Sequence, residues 1–204
     1  MKENKYSKTF TMSIWRKHLL TFGGLLIVMI TFCTCGNTEY EFSNKPCYFV
    51  FDNNTHNDPT LAAAMTPYSG TFVAVTLTFH SGAKYFRFSS NQGTSSESKF
   101  DGIDSRRSLL LGMNEGLIVG YGLLTDPVTF YAFDRECPNC FSPDELPIRS
   151  HPLQINSAGL ATCNTCKRKY DMNNGGILAE GEKGNKMIRY RASTTGPYGV
   201  LAVN

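Results

Sequence analysis

The sequence predicts an all-β protein, and three observations support this. Several short runs alternate apolar and polar side chains, which is the pattern of a strand with one buried face. The 204 residues include 18 glycines, and turn-forming residues separate the runs at short intervals. Only two stretches show a helical pattern, and both are short. We therefore expect sheets joined by turns, with helices in a minor role.

The N-terminal part of the chain has the layout of a secretory signal. Arg16 and Lys17 precede an apolar run at residues 19–32, and small or polar residues follow it. This run is too short for a membrane-spanning helix, which needs roughly 20 apolar residues. We assign residues 1–35 to this signal region, within which the chain is cleaved on export. Met12 is an alternative start that would give a signal of more usual length.

Two cysteines lie at the end of this run, in a segment that resembles a bacterial lipoprotein signal. In such signals the cysteine after the cleavage site becomes the new N-terminus and carries a lipid. Cys35 is the predicted attachment residue because small Thr34 precedes it, and Cys33, which follows bulky Phe32, is the alternative. Acidic residues soon after Cys35 resemble the sorting context of Bacteroidetes-type surface lipoproteins. A plain secretory signal with incidental cysteines is the other interpretation.

The rest of the chain is predicted to be a short polar tether, residues 36–45, followed by one domain, residues 46–204. That length is sufficient for a hydrophobic core. The formal net charge is +3, but several basic residues lie in the leader, so the mature protein is close to neutral. Because it has no basic stripe interleaved with aromatic residues, we do not expect a nucleic-acid partner.

The first half of the domain contains three predicted strands, two predicted helices and a loop. The strands are residues 48–51, 71–79 and 84–88, and the last two form a hairpin around Ser81-Gly82. The helices are residues 59–65 and 104–113, the second with Asp104 as its N-cap. Residues 92–99 are polar and rich in serine, which predicts a loop.

The second half is predicted to consist of strands. They are residues 117–122, 128–133, 153–156, 160–162, 187–191 and 199–203. The strand at 128–133 leads directly into the feature that carries the chemistry of this chain.

Two Cys-x-x-Cys pairs are the strongest chemical signal. They are Cys137 with Cys140 and Cys163 with Cys166, and residues 141–162 separate them. Each turn lets two sulfurs point at one ion, and two turns supply the four ligands of a tetrahedral site. Basic residues beside both pairs would offset the negative charge of the thiolates. Structural disulfides, which an exported location favours, are one alternative. Thiol–disulfide catalysis is another, disfavoured because neither pair precedes a helical pattern.

The segments around these cysteines resemble a Rieske-type domain. Residues 128–140 include a strand that ends in Ala-Phe and runs into the first pair. Residues 160–176 hold the second pair, then an aromatic-Asp segment and a glycine turn. With the last two strands, the resemblance covers residues 117–204. It implies a Rieske-like β-sandwich with an inserted metal-binding subdomain, residues 134–176, that is similar to zinc-ribbon or rubredoxin knuckles.

The chain departs from the Rieske pattern at the ligands themselves. Cys140 and Cys166 stand where Rieske domains have histidines, and the first loop has two intervening residues instead of one. Four thiolates suit a single zinc or iron ion. They would also give an iron–sulfur cluster a much lower potential than histidine ligands do. We therefore expect one tetrahedral ion, Zn or Fe, in preference to a [2Fe–2S] cluster.

Two functional hypotheses follow from these features. The first is an exported, lipid-anchored metal-binding protein of the cell envelope that transfers electrons to a redox partner. It would be an outer membrane lipoprotein facing the periplasm or the cell surface. The second is a non-catalytic binding or assembly module whose loops are held by a structural zinc ion or by disulfides. No catalytic constellation is recognisable, so we do not expect an enzyme.

The sequence also predicts the placement of several other side chains. Tyr170, Tyr190 and Tyr198 are expected to pack around the cysteine turns and to keep water from the sulfurs. Cys47 is expected to be buried. The charged residues at 101–107 are expected to form a solvated helix end. His151 lies between the two pairs and is expected to be exposed rather than a ligand.

Overall fold

The computed structural model describes residues 41–204, which form three antiparallel sheets with two short helices. This confirms the predicted all-β class. The strands are β1 (Phe49–Asp52), β2 (Phe72–His80), β3 (Ala83–Ser90), β4 (Ser95–Lys99), β5 (Gly116–Tyr121), β6 (Phe130–Asp134), β7 (Leu153–Ile155), β8 (Leu160–Cys163), β9 (Lys169–Asp171), β10 (Ile177–Glu180), β11 (Arg189–Tyr190), β12 (Ala192–Thr194) and β13 (Val200–Val203). The helices are α1 (Asn53–His56) and α2 (Pro59–Ala64), and two 3₁₀ turns are η1 (Asp104–Arg106) and η2 (Met172–Asn174).

The largest sheet has six strands in the order β11-β6-β5-β2-β3-β4, and it is covered on both faces. Successive side chains of a strand point to opposite faces. In β2, Val73 and Val75 belong to one core, whereas Phe72 and Ala74 belong to another. The three-stranded sheet β1-β13-β12 contributes to the first core, and the four-stranded sheet β10-β9-β8-β7 contributes to the second. Because a core packs against each face of the central sheet, β2 and β5 carry apolar side chains on both faces.

The first core is built largely from aromatic side chains. Its fully buried rings include Phe49, Phe51, Phe86 and Phe88. Phe51 meets Phe86 edge-on, with ring centroids 5.2 Å apart and an interplanar angle of 87°. Edge-to-face contact is the favourable geometry for such rings. The predicted β2–β3 hairpin is confirmed, and its register pairs His80 with Ala83 across the turn.

One helix is tied to the central sheet by a single carboxylate. Asp58 caps α2, and its Oδ1 accepts the Leu61 N–H at 2.9 Å. The same carboxylate accepts hydrogen bonds from Ser96 and Ser98 of β4. Asp58 is buried, so these bonds replace the water that it loses.

Two sequence predictions for the first half of the domain are wrong. The helix expected at residues 104–113 is only the 3₁₀ turn η1, because Asp104 turns inward and the chain becomes extended at Arg107. The loop expected at residues 92–99 contains β4. This strand reads as polar because it lies at the edge of the sheet, where the inward-facing Ser98 is satisfied by Asp58 rather than by apolar packing.

The N-terminal end of the described chain packs against β11. Ser43 N–H donates to the Arg189 carbonyl at 2.7 Å. The Arg189 guanidinium lies 4.8 Å from the Phe42 ring centroid and 4.5 Å from that of Tyr131. Residues 42 and 43, which the sequence assigns to the tether, thus contact the domain.

The predicted signal, with Met12, Cys33 and Cys35, lies outside the described residues. Within residues 41–204, no helix has the length and apolar character needed to cross a membrane.

Replacement of Asp58 by Ala is expected to lower the free energy of unfolding by about 2–3 kcal/mol, because one cap and two serine hydroxyls lose their acceptor. Urea denaturation measures this directly. Asp52→Ala is the matched control, since Asp52 caps α1 at an exposed position and should cost no more than about 1 kcal/mol. Equal losses in the two variants would contradict the role assigned to Asp58.

Candidate metal centre

Two tight turns, here called knuckle 1 (residues 137–140) and knuckle 2 (residues 163–166), carry the four cysteines. Knuckle 1 follows β6, and Cys137 N–H donates to the His151 carbonyl at 3.0 Å. Its turn is closed by the N–H groups of Cys140 and Phe141, which both donate to the Cys137 carbonyl. These bonds aim two side chains from one turn at a common point.

Knuckle 2 lies between β8 and β9. Cys163 N–H donates to the Arg168 carbonyl at 3.0 Å, and Lys167 N–H donates back to the Cys163 carbonyl at 2.9 Å. Lys167 has φ of +60°, a left-handed conformation that an L residue rarely adopts. This residue reverses the chain directly after Cys166 and returns it as β9.

The structure brings all four predicted cysteines together. Their Sγ atoms lie within 4.8 Å of one another. The Cys137–Cys166 pair is 3.7 Å apart, and the Cys140–Cys163 pair is 3.8 Å apart. With zinc–sulfur bonds of about 2.3 Å, the edge of a regular tetrahedron is about 3.8 Å. The thiols are free, and their spacing is compatible with one metal ion.

The four thiols differ in their access to water. Cys137 and Cys163 are fully buried, whereas Cys140 and Cys166 are half-buried. The buried pair belongs to the second core, which continues into side chains of the central sheet such as Phe133. One edge of the sulfur cluster therefore faces the core and the opposite edge faces the surface.

A chain of hydrogen bonds ends on one sulfur. The Asn139 side-chain amide donates to the Tyr170 hydroxyl at 2.8 Å. That hydroxyl lies 3.5 Å from Cys137 Sγ. Because the amide already donates to the tyrosine oxygen, the hydroxyl proton is directed to the sulfur. A hydrogen bond of this kind stabilises the thiolate and fixes the ligand.

A strap, residues 181–185, joins the two knuckles from outside. The Arg168 guanidinium donates to the carbonyls of Glu182 and Lys183 at 2.9 and 3.2 Å. On the other side, Asn139 exchanges two hydrogen bonds with the backbone of Asn185. The strap passes close to knuckle 1, since a Cβ added to Gly184 would lie 2.5 Å from Asn139 Oδ1.

The surroundings shift the pKa values of Cys137, Cys140 and Cys166 in different directions. Burial raises the pKa of Cys137, and burial with neighbouring thiols raises that of Cys140. Partial burial opposes ionisation of Cys166, but hydrogen bonds from the side chain and backbone of Arg168 lower its pKa to about 6. Burial also raises the pKa of Tyr170, which therefore stays a protonated donor. A bound cation would favour the thiolate form of all four.

The remaining predictions for nearby residues have mixed outcomes. Tyr170 packs against the site as expected. Tyr190 instead donates to Asp134 Oδ2 in the first core, and Tyr198 is half exposed, so the predictions for these two are wrong. His151 is not among the converging groups and pairs with the Thr165 hydroxyl. Sequence reasoning missed Asn139 and Asn185, since asparagines in turns give no signal of their own.

A second polar cluster lies away from the cysteines. His56 Nε2 is 3.0 Å from Asp104 Oδ2, and both side chains are almost fully buried. The imidazole stacks on Phe51, and Asp101 lies beside the pair. The expectation of a solvated helix end is therefore wrong for Asp104. This contact ties α1 to the turn at η1.

Comparison of the chain with protein-family models, with characterised proteins and with solved structures finds no match.

Tyr170→Phe is expected to weaken metal binding by about 10- to 100-fold, because Cys137 loses its hydrogen bond while the ring still fills the core. Competition against a zinc chelator measures the change. Tyr190→Phe is the matched control, since it removes a buried hydroxyl from the other core and should leave the metal affinity unchanged. Equal effects of the two variants would indicate loss of stability rather than loss of a specific contact.

Proposed function

We propose that the protein is an exported metal-binding protein that holds one tetrahedral ion, zinc or iron, between its two cysteine knuckles. The observation that carries this proposal is the spacing of the sulfurs, with two edges of 3.7 and 3.8 Å. A disulfide would need sulfurs about 2.05 Å apart. A single thiolate-bound ion needs the spacing observed.

The same spacing favours one ion over a [2Fe–2S] cluster. In such a cluster two thiolates bind each iron, and bridging sulfides separate the irons. The two thiolate pairs must then stand further apart than the edge of one tetrahedron. Here all four Sγ atoms lie within 4.8 Å of one another, and two separations that run between the knuckles are 3.7 and 3.8 Å. This arrangement supports a mononuclear centre.

The proposal keeps the Rieske-like scaffold as its structural hypothesis. Strands β7 to β10 lie in sequence between β6 and β11, which pair with each other in the central sheet. A small sheet and the two cysteine knuckles are thus inserted into a larger β framework. That layout agrees with the resemblance in the sequence, and the four-cysteine ligand set would be the departure from it.

Electron transfer and structural support make different demands on the site. Hydrogen bonds to thiolate sulfurs and the nearby Arg168 charge would raise the potential of a bound iron. The half-buried Cys140 and Cys166 would bring the ion close to a redox partner. Zinc, which has no redox chemistry, would instead hold the loops of a non-catalytic binding or assembly module. Metal identity therefore decides between these functions.

We further propose that the protein is a lipoprotein of the outer membrane, anchored through Cys35 and facing the periplasm or the cell surface. The support is the sequence of the leader alone, with its basic start, its short apolar run and its terminal cysteine.

Anaerobically purified protein is expected to contain one zinc or iron per chain and no inorganic sulfide, as elemental analysis will measure. Protein that contains iron should be red-brown and should lose its colour when dithionite reduces it, whereas protein that contains zinc should be colourless.

Cys163→Ser should lose the metal and destabilise the C-terminal strands by several kcal/mol. Cys47→Ser, which changes a buried thiol outside the site, should keep the metal. Two irons and two sulfides per chain would contradict the mononuclear proposal.

Metabolic labelling of the full chain with a radioactive fatty acid in a bacterial host tests the anchor. We expect the unaltered chain and Cys33→Ala to be labelled and Cys35→Ala to lose the label. Loss of label only in the Cys33→Ala variant would assign the lipid to the alternative residue. An unlabelled parent chain would rule out the lipoprotein.

A further inference from the structure

We propose that the four-cysteine site is oxidised by a hydroperoxide to two disulfides that join the knuckles, Cys137–Cys166 and Cys140–Cys163, with release of the ion. This proposal rests on the proposed function, since only a loaded site has an ion to release. It adds a redox response to metal binding and assigns the sulfur pairs that form.

Two distances between sulfurs support these pairs. Cys137 Sγ lies 3.7 Å from Cys166 Sγ, and Cys163 Sγ lies 3.8 Å from Cys140 Sγ. Both of these separations run from one knuckle to the other, at the contact distance of two sulfurs. Sulfurs at the contact distance of a shared ion need only a small movement to reach the length of a disulfide, about 2.05 Å.

Each of these pairs combines one accessible sulfur with one protected sulfur. Cys166 and Cys140 are half-buried, whereas their partners Cys137 and Cys163 are fully buried. A hydroperoxide from solvent can reach the accessible sulfur first. The protected sulfur is then held beside the oxidised one as the resolving thiol, which is the arrangement of a two-cysteine peroxide-reactive pair.

The chemistry balances with hydrogen peroxide as the oxidant. The Cys166 sulfur attacks one peroxide oxygen, the O–O bond breaks, and a sulfenic acid and hydroxide form. The Cys137 sulfur then attacks the sulfenic sulfur and expels a second hydroxide as the S–S bond closes. Two thiolates lose two electrons, and one peroxide with two protons becomes two waters. A second peroxide oxidises Cys140 and Cys163 in the same way, after which no thiolate remains to hold a cation.

Disulfides between the knuckles would preserve the fold that the ion supports. The ion and the two proposed bonds both join the loop after β6 to the loop after β8. Disulfides within each knuckle would leave these loops unconnected. The oxidised protein should therefore keep the melting temperature of the loaded protein to within a few degrees.

The test uses the full chain with serine at positions 33, 35 and 47, so that only the four site cysteines remain. It is loaded with zinc, freed of excess metal and treated with hydrogen peroxide. We expect one zinc released and four thiols lost per chain. Trypsin should then yield residues 136–149 and 150–167 as one linked species, because Arg149 is a cleavage site between the knuckles. Two separate peptides, each two hydrogens lighter, would overturn the proposal.

Single variants check each bond. In Cys166→Ser we expect only the Cys140–Cys163 disulfide, and in Cys140→Ser only the Cys137–Cys166 disulfide. A link between Cys137 and Cys163 in the unsubstituted site would overturn the assignment. Zinc that stays bound at the four thiols after peroxide treatment would overturn the redox response itself.

The two proposals fail at different steps. Zinc content is measured before peroxide is added, and a chain that never holds zinc defeats the proposed metal binding there. The reduced, metal-free chain is oxidised in parallel, so its peptide map tests the sulfur pairing independently of the ion. If neither the zinc-loaded nor the metal-free sample yields the linked peptides, the proposed sulfur pairing is wrong, whereas the proposed metal binding is unaffected.

Discussion

The convergence of four cysteine side chains constrains the rest of the C-terminal half of the molecule. Four ionised sulfurs within 4.8 Å would repel one another strongly, and the two that are fully buried cannot be stabilised by water. A divalent cation would offset most of this repulsion, and Arg168 beside Cys166 would offset part of the charge that remains. Backbone hydrogen bonds close both turns and hold this arrangement, and neighbouring polar groups surround it.

Those neighbouring groups link the sulfurs to the surrounding fold. Tyr170 connects Cys137 to Asn139, and Asn139 connects knuckle 1 to the strap. Arg168 connects the strap to knuckle 2. Each knuckle is therefore held twice, once through its sulfurs and once through the strap. A change at any of these polar residues would alter the geometry of the sulfurs without altering the four cysteines, which is how the surroundings of a metal site adjust its properties.

The sequence predicts the ligands better than their surroundings, for physical reasons. Cys-x-x-Cys turns can be recognised in the sequence because their spacing alone makes the sulfurs converge. Alternation of apolar and polar side chains likewise identifies strands such as β2. The sequence does not predict the edge strand β4, because serines occupy positions where apolar residues would indicate burial. These serines donate hydrogen bonds to the Asp58 carboxylate instead. The contact between His56 and Asp104 is missed for a similar reason, since two polar residues far apart in the sequence look like surface residues when each is considered alone. Asn139 acts through contacts with residues more than 30 positions away, which no local pattern records.

The small size of the four-stranded sheet bears on what the metal does. Its strands have three or four residues each, which is shorter than the usual strand of about five or six residues. Packing against Phe133 and its neighbours supplies one side of that support, and the cysteine cluster ties the loops at the other. A bound ion would therefore stabilise the fold whether it is zinc or iron. Electron transfer through iron would then be added to a centre that also supports the fold. Tyr170 and Arg168 would then be the residues that adjust the redox potential, since both contact the cysteine sulfurs.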